Sequence, residues 1–141
     1  MTIFNTIMLF ARKGEFGLRY ENHMLENKLL PFIFHFDIVK AQEGEHSVFG
    51  NWHENPEFLF YTKGEGTLLY NKHNYKVAAG DLAIINPDCF HAVSAEREIE
   101  YYCLIVDAGF FRENGIPIDT VSYRHVVPDT GLEPVFRSIA A

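Results

Sequence analysis

Residues 51–91, NWHENPEFLFYTKGEGTLLYNKHNYKVAAGDLAIINPDCFH, decide the fold of this chain. Two runs of strand-forming residues, Glu57–Tyr61 and Thr67–Tyr70, flank Lys63-Gly64-Glu65-Gly66, whose glycines supply turn conformations without steric cost. Asn71-Lys72-His73-Asn74 reads as a second turn that returns the chain into Tyr75-Lys76-Val77. Gly80-Asp81 turns it once more into Leu82–Asn86, and Pro87-Asp88 stops that run. Four short strands with turn signals between them predict an antiparallel sheet that curls into a sandwich or barrel. No helix of useful length fits the stretch.

Three residues able to ligate a metal lie within it: His53, Glu57 and His91. Strand side chains repeat every second residue, so Asn51, His53, Glu57, Leu59 and Tyr61 share a face if the strand is regular. Pro56 interrupts the ladder and demotes the segment before it to an edge or a bulge. Trp52 then points the opposite way from His53, as a sheet-packing or interface residue.

These residues carry a family resemblance. His53-x3-Glu57-x6-Gly64 resembles the first cupin motif, and Gly80-Asp-x4-Asn86-Pro87-x3-His91 resembles the second. Asn51 stands where many metal cupins have a first histidine, and Asp88 where they have a glycine. Within the cupins the stretch most resembles the amino-terminal sensor domain of AraC-type transcription regulators. The resemblance is sharp over residues 51–91, looser over 30–106 and weak before that. It implies an all-β, cupin-type double-stranded barrel (a jelly roll), an organic effector held at the barrel mouth, and an arm before the barrel that responds to it. No motif in residues 1–20 matches that arm, and a plain edge strand is the simpler expectation there.

At 141 residues the chain is long enough for one domain with a real core. Its formal net charge of -7 and the lack of a Lys/Arg stripe exclude duplex binding by this chain alone. Cys89 and Cys103 have no CxxC spacing and read as reduced thiols. The apolar run Thr6–Ala11 is too short for a membrane span and is followed, not preceded, by basic residues. A cytoplasmic protein with no membrane partner is expected.

Elsewhere the reading is coarser. Glu21–Leu30 accommodates a helical turn that Pro31 halts. Phe32–Val39 is a strand with Phe32, Phe34, Phe36 and Ile38 on one face and Ile33, His35, Asp37 and Val39 on the other. His35 is taken for a satisfied or solvent-edge histidine rather than a cavity residue. Ala41–Ser47 reads as a polar loop, Glu100–Val106 as a buried strand, Asp107–Ile118 as a loop holding one helical turn, and Val121–Val127 as a last strand. Leu132, Val135, Phe136 and Ile139 fall at i, i+3, i+4 and i+7, an amphipathic helix with Pro134 in its first turn. Residues 1–127 are thus the barrel. Residues 128–141 begin a linker and dimerisation helix, expected to be truncated and to lead, in the regulators the chain resembles, to a DNA-binding half.

The site has three readings, the plainest being a structural polar cluster that binds nothing. Two imidazoles and a carboxylate form a workable shell for a divalent transition metal with open positions left for substrate. That would make the chain a stand-alone cupin dioxygenase or isomerase using His53, Glu57 and His91. Asn51 argues against it, since an amide oxygen replaces imidazole poorly. The favoured reading is non-enzymatic, with no cofactor. His53, Glu57, His91 and Asn51 offer hydrogen bonds to a sugar or small acid, and Tyr61, Phe34 and Phe36 supply the apolar wall. The expected protein is therefore the effector-sensing, homodimer-forming domain of an AraC-type regulator.

Overall fold

The structure, a computed structural model, describes residues 17–20, 30–41, 49–120 and 123–141. Strands β1 (Gly17–Tyr20), β2 (Phe32–Lys40), β3 (Phe49–Trp52) and β4 (Glu57–Tyr70) come first. Next are β5 (His73–Ala78), β6 (Leu82–Ile85), β7 (His91–Ser94) and β8 (Glu98–Val106). Helix α1 (Ala108–Glu113), strand β9 (Val126–Val127) and helix α2 (Glu133–Ala140) complete the described elements. The chain is all-β with a short C-terminal helix, as expected.

One wall runs β2–β8–β4–β6–β9, antiparallel throughout. The other runs β1–β3–β7–β4–β5, where only β1 lies parallel to its neighbour. Strand β4 belongs to both walls, and this corrects the sequence reading. Lys63-Gly64-Glu65-Gly66 does not reverse the chain; it carries one 14-residue strand around the corner of the barrel. Glu57–Phe60 pair with β6, whereas Glu65–Tyr70 pair with β5, and the register with β8 slips between Tyr61 and Lys63. A bulge of this kind is how a strand passes from one sheet to another. Gly64 sits at φ +79°, and a Cβ there would strike the Glu98 carbonyl, so only glycine fits.

The other turns fall where the sequence puts them. Asn71 takes φ 53° in a two-residue reversal between β4 and β5. Gly80 takes φ 96°, and the Asp81 carboxylate accepts from the Ala78 N–H at 2.9 Å, fixing the entry to β6. The last strand is shorter than expected, only Val126–Val127. The expectations for Met1–Ala11, for a helical turn before Leu30 and for the polar loop up to Ser47 lie largely or wholly outside the described residues.

Two clusters divide the apolar residues. The interior holds Leu59, Tyr61, Leu68, Tyr70, Val77, Ile85, Ile99 and Ile105. On the outer surface of the first wall, Phe60 and Leu82 pack against Phe136 of α2. Phe136 stacks on Phe60 with ring centroids 5.1 Å apart. The amphipathic stripe of α2 is therefore split: Phe136 is buried and Leu132 packs beside it, while Val135 is 52% exposed. Among the described residues no helix is long and apolar enough to cross a membrane.

Candidate functional site

Strand β3 ends at Trp52, so His53 is delivered by irregular backbone and not by the regular strand assumed from the sequence. That backbone is tied down on several sides. The His53 carbonyl accepts from the Asp88 N–H at 2.7 Å, and the Pro56 carbonyl accepts from the Val106 N–H at 3.1 Å. The Asn55 side-chain oxygen accepts from the Ala108 N–H, also at 3.1 Å. Glu57 opens β4 opposite Ile85 and Ile105. His91 opens β7 opposite both Asn51 and Tyr70.

The three converge. Glu57 Oε2 lies 2.7 Å from His53 Nε2 and 2.9 Å from His91 Nε2, and all three side chains are buried. The imidazole rings meet edge to face, 5.3 Å apart at 85°. A third contact has no signature in the sequence: the Cys103 thiol donates to Glu57 Oε1 at 3.0 Å. Burial pushes the Glu57 carboxyl up. The hydrogen bonds from His53 and His91, the charge of His91 and the Cys103 thiol outweigh that and hold it well below the usual carboxylate range. His91 Nδ1 donates to the Cys89 carbonyl at 3.1 Å.

The remaining expected site residues divide. Asn51 is half-buried beside His91 across the β3–β7 pairing. Tyr61 is fully buried, its ring 5.5 Å from that of Tyr101, and its hydroxyl has no hydrogen-bond partner among the described residues. Burial and the neighbouring Tyr101 push its phenol well above the ordinary value. Phe34 and Phe36 are not brought to the cluster. They lie on the outer face of β2, where Phe34 stacks on Tyr102 at 5.4 Å and Phe36 tilts against the same ring at 5.2 Å. The inner face of β2 is the other one, with Ile33, His35, Asp37 and Val39 paired to interior residues of β8. Trp52 is 39% exposed and packs on Tyr20, in keeping with a surface packing role.

Could the cluster hold a metal? The three donor atoms lie within 4.8 Å of one another, close enough for one ion. The Nδ1 bond of His91 to a backbone carbonyl also turns Nε2 inward, the arrangement that orients metal-bound imidazoles. The residues fit, although Glu57 is equally satisfied by the two imidazoles and the thiol.

A double-walled β-barrel with a buried His–Glu–His cluster defines a cupin. Of solved structures, a cupin protein from Bacteroides fragilis superposes with a TM-score of 0.51 at 26% identity, covering 57% of this chain and 70% of that one. A cupin-2 conserved barrel protein from Salinispora arenicola gives 0.47 at 17% identity, covering 79% of this chain and 80% of that one. The salicylate 1,2-dioxygenase of Pseudoaminobacter salicylatoxidans gives 0.47 at 17%, with 61% of this chain matched to 24% of that one. No curated protein matches. The AraC-like ligand binding domain family matches residues 35–141, and the chain belongs to that family.

Proposed function

We propose that this domain senses a small organic effector in a transcription regulator and carries out no chemistry on it. The observation that supports this best is the closed set of contacts around Glu57, inside a barrel of a ligand-binding family. Such a cluster presents imidazole and carboxylate edges at fixed positions, and these bind and orient a polar molecule within apolar walls. Binding shifts the balance between two arrangements of the domain only by the difference in affinity for the two. Its output would pass to a DNA-binding domain elsewhere in the regulator, with homodimerisation through α2 and a cytoplasmic location. The net charge of -7 fits a part that does not itself grip DNA.

The test is a melting screen of sugars and small acids followed by recovery of the hits. An effector at a hundredfold excess over its Kd stabilises the chain by about 2.7 kcal/mol and is recovered unchanged. A hit converted to product by the purified chain would overturn the sensor. The second reading rests on the inward-turned His91 Nε2: His53, Glu57 and His91 would hold a divalent transition metal. Such an ion supplies Lewis acidity at an open coordination position.

A further inference from the structure

Given the homodimer of the sensor reading, we propose that two copies of this chain join edge to edge along β2. The strands run antiparallel about a two-fold axis at Phe36, so each His35 meets Asp37 of the second copy.

The open edge follows from the backbone hydrogen bonds. The Ala41 N–H donates to the Arg97 carbonyl, and the Pro31 carbonyl accepts from the Asp107 N–H. Both bonds continue the register that pairs Phe32 with Val106 and Lys40 with Glu98. Backbone groups alternate in direction along an antiparallel strand, so the odd-numbered residues of β2 turn theirs toward β8. Those of Phe32, Phe34, Phe36, Ile38 and Lys40 point to the opposite edge. Among the described residues β2 pairs only with β8. Phe36 and Ile38 are 44% and 51% exposed. A regular nine-residue edge strand carrying exposed apolar side chains is a template for another strand.

The sequence of β2 says which strand. FIFHFDIVK is symmetric in character about Phe36: Phe34 mirrors Ile38, Ile33 mirrors Val39, and the His35 imidazole mirrors the Asp37 carboxylate. A second copy laid antiparallel about Phe36 sets Phe34 beside Ile38 on the outer face and His35 beside Asp37 on the inner face. In that ladder His35 and Asp37 occupy the non-hydrogen-bonded positions, where cross-strand side chains come closest. Within one copy they already touch, Nδ1 to Oδ2 at 2.9 Å, so the seam closes a ring of two imidazoles and two carboxylates.

The same pair decides the register. Moving the axis to Asp37 keeps the outward backbone groups paired but sets Asp37 against Asp37. Moving it to His35 sets His35 against His35. Like charges directly opposite are unfavourable. Charges on an edge strand ordinarily keep other strands away. Here their placement admits a second copy of β2 in one register and opposes the neighbouring ones.

A two-fold axis at such a seam stands perpendicular to the sheet, so both outer faces lie on one side. Helix α2 packs on that face, with the Phe136 ring 6.4 Å from those of Phe34 and Tyr102. The two α2 helices therefore flank Phe36 and Ile38, with Val135 and Ile139 still exposed for the seam to cover.

Residue-resolved amide exchange on the intact chain, with sedimentation for the association state, tests the seam. In concentrated protein the Phe34, Phe36 and Ile38 N–H groups should exchange about tenfold slower, or more, than after dilution to monomer. Those of Ile33, His35 and Asp37, held by β8, should not change. His35→Asp and Asp37→Lys should each weaken the dimer about tenfold. An equal mixture of the two variants should associate as tightly as the parent chain, because each supplies the charge that the other lacks. The exchange measurement uses the parent chain and stands whether or not a variant folds. A chain that stays monomeric at millimolar concentration overturns the proposal and removes the sensor's homodimer with it. Two outcomes overturn the seam alone: edge amides protected equally at every dilution, or a dimer that neither variant weakens.

Discussion

The two faces of β4 were built to different rules. Outward, Phe58 and Phe60 belong to an aromatic layer closed by Phe136 and Leu132. Inward, Glu57, Leu59 and Tyr61 alternate polar with apolar, and both polar groups are buried. An apolar outer layer is explained by the area it removes from water. Buried Glu57 and Tyr61 are not, because burying a carboxylate or an unpartnered hydroxyl costs free energy. The outer face stabilises the barrel, and the inner face carries buried polar groups that area alone does not explain.

The contrast breaks most readily at Glu57. Replacing it by alanine strands two imidazoles in the interior and should cost about 3–5 kcal/mol, read by urea denaturation. Converting His53, Glu57 and His91 together to apolar residues of similar volume should restore or exceed the original stability while abolishing binding. If that triple variant is as unstable as Glu57→Ala, the inner cluster is structural after all. On the outer face, Phe136→Ala should cost about 3 kcal/mol and leave ligand affinity unchanged, since among the described residues Phe136 packs in the outer layer.

Acid should separate the faces next. Glu57 titrates below its unfolded value of 4.5, so its stabilisation is fully present above that pH and disappears as pH falls through the folded value. The stability difference between the native chain and Glu57→Gln should therefore shrink from about pH 4.5 downward, while that for Phe136→Ala stays flat. The smallest effect has the opposite sign. Tyr61→Phe removes a buried hydroxyl without a described partner and should leave the ligand-free chain unchanged or more stable by about 1 kcal/mol.

The same contrast explains what was legible in the sequence. The all-β class, the turns at Asn71 and Gly80, and the convergence of His53, Glu57 and His91 could be read from spacing and motif. The function of Gly64-Glu65-Gly66 could not. Glycines suit a reversal and a corner equally, and only the pairing of β4 with β8 distinguishes the two. Alternation separates the two faces of β2, but hydropathy points to the apolar one, with Phe34 and Phe36, as the pocket wall. Helix α2 packs beside Phe34 on that face, so the more apolar side points away from the barrel interior and the side with His35 and Asp37 points in. Cys103 was hidden for a related reason: its contact with Glu57 depends on a diagonal across two strands that no local pattern reveals.

Metal analysis of protein purified without chelator tests the central claim most directly. If Glu57 serves as a hydrogen-bonding anchor for an organic effector, iron, manganese, zinc and nickel should all be far below stoichiometric, and unchanged in Glu57→Ala. Near-stoichiometric metal that disappears in both His53→Ala and Glu57→Ala would contradict the account and make the cluster a metal centre.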